Sequence, residues 1–165
     1  MSVDLTQLRK VPLFSVLSDA ELGRLTQIGK HQAFEPYSNI IIEGEMSWGM
    51  YLVLEGQVGI YKANKVSGNV YDVGQLQAGA VFGEMSLIDQ QPRSATVQSL
   101  TQCKVFLIGK DDFHRFLSTS PELKLRFFES CVQQLVGRLR VLNDDYVVSQ
   151  YQLWQKALKS ERGAA

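Results

Sequence analysis

A glycine followed by a carboxylate, with an arginine ten residues beyond the glycine, can hold a small anion that also carries a hydroxyl. These groups fall in residues 81 to 97, VFGEMSLIDQQPRSATV. Val81-Phe82 reads as the end of a strand, Gly83 to Leu87 as a short helix, Asp89 to Pro92 as a turn and Ser94 to Val97 as a strand resumed. A short helix inserted between strands leaves backbone N–H groups unpaired at its start, an arrangement suited to an anion. Gly83 lets a ligand come close to the main chain, and Arg93 supplies a planar fork of donors matched to phosphate oxygens. Glu84 opposes a bare anion. It helps only if the ligand brings a hydroxyl to donate to it, as a phosphate joined to a ribose does: the arginine takes the charge and the carboxylate accepts from the 2′-OH. The competing reading is that Arg93 and Glu84 simply pair with each other on a surface loop.

The remaining reactive side chains are sparse. Cys103 and Cys131 form no CxxC, so they read as two buried free thiols. His31 and His114 are expected to lie before and after the strands, too few and too far apart for the imidazole cluster of a barrel metalloenzyme. With 17 basic and 17 acidic residues the formal net charge is zero, so any anion site has to be local. No stretch approaches the roughly 18 apolar residues of a membrane span, and the first residues lack the apolar segment of a signal peptide. The expected location is the cytoplasm.

Three sections have to position the cassette. Residues 1–30 form an N-terminal helical segment: a turn at Leu5 to Lys10, then Pro12, then an amphipathic helix from about Asp19, announced by Ser18 and Glu21 in capping-box spacing. Residues 31–109 are short β-branched or aromatic runs (40–42, 50–54, 58–61, 70–76, 94–99 and 104–108) separated by Glu43-Gly44, Glu55-Gly56, Ser67-Gly68-Asn69 and Ala78-Gly79. Many short strands without intervening helices predict a mainly β, α+β fold, an antiparallel jelly-roll barrel. Residues 110–165 return to the helical period. Asp111 to Leu117 is a short helix, and Ser120-Pro121-Glu122 starts another that continues for about forty residues. Along it Val132, Leu135, Leu139, Leu142, Tyr146 and Leu153 are spaced by threes and fours, with Ser149 the polar member of the stripe. Its own barrel can cover only the first turns, so the stretch from Leu135 to Leu153 is expected to pack against a second subunit.

FGEMSL followed by PRSATV resembles the phosphate-binding cassette of the cyclic-nucleotide-binding domain, the module of the catabolite activator protein, of cyclic-AMP-dependent kinase regulatory subunits and of cyclic-nucleotide-gated channels. Similar residues recur outside it, in Pro12-Leu13-Phe14, Glu43-Gly44-Glu45, Tyr51 to Gly56 and Gly79, so the resemblance covers roughly residues 10–140. It implies that Glu84 accepts from the ribose 2′-OH with Gly83 in backbone contact. Arg93 would pair with the cyclic phosphate, helped by backbone N–H groups around Ser86 and Ala95 and by the Ser94 hydroxyl, while Met85 completes the ligand-binding set. Phe82, Met85 and Leu87 would also pack beneath the cassette, and residues Leu135 to Asn143 would cover the base. Two turns depart from the family: Ser47-Trp48-Gly49 replaces a usual Gly-Asp, with Trp48 expected to fold back onto the barrel, and Tyr37 stands where glycine is usual.

The implied function is a non-catalytic sensor. It takes cyclic AMP in preference to cyclic GMP, needs no cofactor or metal, and signals through movement of the long helix. The partner is a second copy along that helix or an unidentified effector protein. The same module could instead be the regulatory part of a channel, kinase or transcription factor. Direct nucleic-acid binding is not expected: a DNA-binding output domain would need about sixty more residues, and Lys156, Lys159 and Arg162 read as a solvated helix end.

Overall fold

The computed structural model describes residues 5–89 and 91–162, with side chains as far as Gln155. The basic end at Lys156, Lys159 and Arg162, the first four residues and Gln90 within the expected turn lie outside the described side chains.

The capping box forms as the sequence implies. Ser18 N–H donates to the Glu21 carboxylate at 2.7 Å and Glu21 N–H to the Ser18 hydroxyl at 3.4 Å, which starts α2 (Asp19–Ile28). Before it come α1 (Leu5–Arg9) and a 3-10 turn at Pro12–Phe14. Eight strands follow: β1 (Gly29–Phe34), β2 (Asn39–Ile41), β3 (Gly49–Glu55), β4 (Gln57–Ala63), β5 (Val70–Gln77), β6 (Val81–Phe82), β7 (Thr96–Ser99) and β8 (Cys103–Gly109). α3 (Met85–Asp89) is inserted between β6 and β7, and α4 (Lys110–Leu117) and α5 (Pro121–Arg162) end the described chain.

The strands form two four-stranded antiparallel sheets, in the orders β1-β8-β3-β6 and β2-β7-β4-β5. Pairing is nested, β1 with β8, β2 with β7, β3 with β6 and β4 with β5. The result is a sandwich and not the closed barrel expected, because among the described residues no ladder joins the sheet edges. β1 was not expected as a strand, and His31 therefore lies within the strands and not before them. Lys30 to Ala33 are exposed and only Phe34 packs on the core, so the segment has no apolar alternation. Its six-residue ladder to β8 makes it a strand. His31 meets Phe106 edge to face at 5.5 Å.

β3 and β8 carry the core on both faces, which is why they read as continuous apolar runs. Met50, Leu52, Phe106 and Ile108 pack against Leu22, Phe113, Leu123 and Phe127 of the helices. Their neighbours Tyr51, Val53 and Val105 face Ile41, Val58, Phe82 and Val97 in the other cluster. The alternation follows from the two-residue repeat of a strand. Both cysteines are free and buried.

α5 is 42 residues long, about 60 Å at the usual rise. The Ser120 hydroxyl accepts from Leu123 N–H at 3.3 Å, with Pro121 as its first residue. Leu123, Phe127 and Cys131 are buried, and Arg126 ties the helix to the Val16 carbonyl at 2.6 Å and to Glu21 at 2.7 Å. From Val132 onward the apolar residues of the stripe are exposed. Trp48 does not fold back as expected: it is 78% exposed. Tyr37 adopts φ 65°, the left-handed region that glycine enters without strain.

Candidate functional site

The break between β6 and β7 opens a cavity of about 360 Å³. Gly83, Glu84, Met85, Ser86, Arg93, Ser94 and Ala95 all line it, so the seven residues singled out in the sequence come together at one cavity. Ile41, Ile60, Leu76, Val81 and Val97 line the floor from the sheets, and Arg138 enters from α5. An apolar floor with a few convergent polar groups is the usual constitution of a small-molecule site.

Gly83 has φ 75°, and a Cβ there would lie 2.6 Å from Arg93 Nη1. Only glycine meets both demands. The Arg93 side chain is folded inward, 5% exposed, and donates from Nη1 to the Gly83 carbonyl at 2.9 Å and from Nη2 to the Gly49 carbonyl at 2.7 Å. Its guanidinium lies 5.9 Å from the centre of the Tyr51 ring, which stacks on Phe82 at 5.1 Å. Burial pushes the Arg93 pKa below its ordinary value, opposed by Tyr51 and Glu84, yet a guanidinium remains charged. Burial likewise pushes the Tyr51 hydroxyl up, with Arg93 opposing.

The expected alternative, an ion pair between Arg93 and Glu84, does not form. Glu84 instead accepts from Arg138 Nη1 at 2.5 Å. Among the described residues Arg93 has no carboxylate ion-pair partner; two backbone carbonyls and the Tyr51 ring hold the guanidinium, which has N–H groups to spare. That is a positive charge without an ion pair at the wall of a cavity. Phe82 and Leu87 are buried beneath the cassette as expected, whereas Met85 is 43% exposed at the mouth of the cavity. Ser86 is buried.

Sequence reasoning missed Arg138. It falls inside the stretch 135–143 assigned to the ligand, but nothing in its local pattern distinguishes it from Arg140 two residues on. Only the fold shows that one of them meets Glu84. Gln134 and Arg138 of α5 also line a smaller cavity beside the cassette with Leu13, Ala80 and Val81. Cys131 lies near this point, its thiol pushed up to about 11 by burial and then by Glu84, so it is a protonated packing group.

A sandwich that brings a buried cation and a carboxylate to one cavity, beside a helix that runs off the body, has the constitution of a ligand-binding domain. The chain belongs to the cyclic nucleotide-binding domain family, whose model matches residues 31–120. It is 37% identical over 67% of its length to a cAMP-dependent protein kinase regulatory subunit of Yarrowia lipolytica. It is 32% identical over 75% of its length to a cyclic nucleotide-gated potassium channel of Mesorhizobium japonicum. The matched segment spans only 28% and 33% of those two proteins. Among solved structures, the N-terminal domain of a transcriptional regulator from Streptomyces coelicolor A3(2) superposes with TM-score 0.72 at 25% identity, covering 82% of this chain and 94% of that one. The catabolite activator protein of Thermus thermophilus shares the fold, with TM-score 0.72 at 22% identity over 83% of this chain and 62% of that one. Among the described residues no helix is long and apolar enough to cross a membrane.

Proposed function

We propose that the chain is a non-catalytic sensor that binds a 3′,5′-cyclic nucleotide, cyclic AMP in preference to cyclic GMP, in the cavity between the sheets and the cassette. The observation that carries this reading is Arg93, a buried cation with no carboxylate ion-pair partner among the described residues, which lines the same cavity as Glu84. The cyclic phosphate takes the cation and the ribose 2′-OH donates to Glu84. The preference for cyclic AMP follows the kinase regulatory subunit among its relatives. No metal or other cofactor is part of this reading, and the free thiols suit a reducing cytoplasm.

Transmission runs through α5. Arg138 donates to Glu84, so the ribose hydroxyl and the helix compete for one carboxylate. A ligand can shift an equilibrium only by binding one state better than the other, and this competition supplies the difference. Gly137, beside Arg138, makes α5 easier to bend at that point. The exposed stripe beyond it receives a second copy of the chain. Because relatives are about three to four times longer than the matched segment, the same site would also serve as the sensing part of a larger channel, kinase or transcription factor.

Arg93→Ala tests the reading. An arginine–phosphate contact contributes roughly 1.5–3 kcal/mol, so its loss weakens binding by about ten- to a hundred-fold or more. Titration calorimetry with cyclic AMP should then detect no binding at micromolar ligand while circular dichroism shows the fold intact. Unchanged affinity overturns the assignment.

A further inference from the structure

The Glu43-Gly44-Glu45 turn stands behind the cassette and not in the cavity. Gly44 N–H donates to the Arg93 carbonyl at 2.9 Å, and Arg93 N–H to the Glu45 carbonyl at 2.8 Å. Glu43 N–H donates to the Thr96 hydroxyl at 3.0 Å. Lys62 of β4 closes the arrangement, its ammonium donating both to Glu43 Oε1 at 2.6 Å and to the Ser94 carbonyl. The other carboxylate oxygen of Glu43 accepts from Ala63 N–H at 3.0 Å. These contacts grip the chain from Arg93 to Thr96 from its outer side.

A peptide unit is planar, and every one in the described chain is trans, so a carbonyl and the following N–H point in opposite directions. Fixing the Ser94 carbonyl on Lys62 therefore turns the Ala95 N–H away from Lys62, toward the cavity that both residues line. Fixing the Arg93 carbonyl on Gly44 does the same for Ser94 N–H. Among the described residues neither N–H meets an acceptor within the protein. Glu43 is a durable part of the brace: Lys62, and after it Ala63 N–H, hold its carboxyl below the usual range.

We infer that Glu43 and Lys62 are positioning residues for the anion end of the site, aiming the Ser94 and Ala95 N–H groups at the ligand phosphate. The inference rests on the reading that the cavity takes a cyclic nucleotide. It differs in sign from a purely electrostatic role for Lys62. If charge alone mattered, Glu43→Gln would remove a negative charge near the phosphate and tighten binding; if the brace matters, the same change loosens Lys62 and weakens it.

The test uses isotope-labelled full chain as wild type, Lys62→Met, Glu43→Gln and the rescue variant Lys62→Arg. The residual dipolar coupling of the Ala95 amide is measured without ligand, and each protein is then titrated with cyclic AMP and its 2′-deoxy analogue. Expected are a changed Ala95 coupling in Lys62→Met and Glu43→Gln, and affinity lowered about ten-fold for both nucleotides alike, since they share the phosphate. Lys62→Arg should recover most of both. An unchanged coupling in Lys62→Met, or Glu43→Gln binding as tightly as wild type or tighter, overturns the inference. Should wild type bind neither nucleotide, the ligand reading fails by itself, and the Ala95 coupling alone decides whether the brace aims the amide.

Discussion

Arg93 and Glu84 carry opposite charges at one cavity and still do not pair, and this separation gives each a distinct task. Arg93 is held by the carbonyls of Gly83 and Gly49, which orient it without cancelling its charge. Glu84 is paired with Arg138, a partner mounted on a different element, α5. Glu84→Gln keeps an acceptor for the ribose hydroxyl but turns a charge-assisted hydrogen bond into a neutral one, a loss of roughly 1 kcal/mol. Affinity for cyclic AMP should fall about five- to ten-fold. Affinity for the 2′-deoxy analogue should hardly change, so the two nucleotides converge. A variant that still discriminates between them as wild type does would remove Glu84 from the ribose. Most of this site was legible before any fold was known, because its glycine, carboxylate and arginine lie within one short segment. Arg138, Lys62 and the Glu43 carboxylate were not legible as site residues. Their roles depend on which elements meet, and their sequence neighbourhoods look like ordinary surface.

At the scale of elements, the parts that positioned the cassette were legible wherever local chemistry decides structure. Ser18 and Glu21 mark the start of α2, Ser120 and Pro121 that of α5, and the β-branched runs mark β3, β4 and β8. β1 was missed because an edge strand with exposed side chains is specified by its ladder partner. The sandwich was taken for a barrel because closure depends on pairing between distant edges, which no local pattern encodes. The α2 cap is also the joint between the N-terminal helices and α5. Burial alone would push the Glu21 carboxyl up, but the Ser18 N–H and hydroxyl and the Arg126 guanidinium outweigh it and hold it below its ordinary value. A carboxyl whose pKa is lowered by folding stabilises above the unfolded value, and that stabilisation is lost as pH falls through the folded one. Glu21→Gln should therefore cost about 1 kcal/mol at neutral pH. Denaturant unfolding across a pH series should show wild type and variant converging as pH drops below about 4, the ordinary carboxylate range. A gap that stays constant down to strongly acidic pH would show that the charge of Glu21 contributes nothing.

For the molecule as a whole, the outstanding fact is that α5 belongs to the body for only part of its length. Among the described residues its last buried side chain is Cys131 and its last polar link to the body is Arg138 on Glu84. Beyond them Leu139, Leu142, Tyr146 and Leu153 stand 56–65% exposed on a stripe that steps by three and four from Val132. That is the seam repeat of a coiled coil, so the surface it fits best is a like helix, and a two-fold pair of copies satisfies both seams at once. Under the proposed function, the Arg138–Glu84 contact at the root of the seam is the point where a ligand that takes Glu84 would act on the helix. A double substitution, Leu139→Glu with Leu142→Glu, puts like charges into the middle of that seam without touching the cavity or the buried end of α5. Analytical ultracentrifugation should find wild type at the mass of two chains at tens of micromolar and the variant at the mass of one, with the melting of the sandwich largely kept. A wild-type chain that sediments as a monomer at that concentration would assign the stripe to a different protein, and an unchanged dimer in the variant would move the interface elsewhere on the molecule.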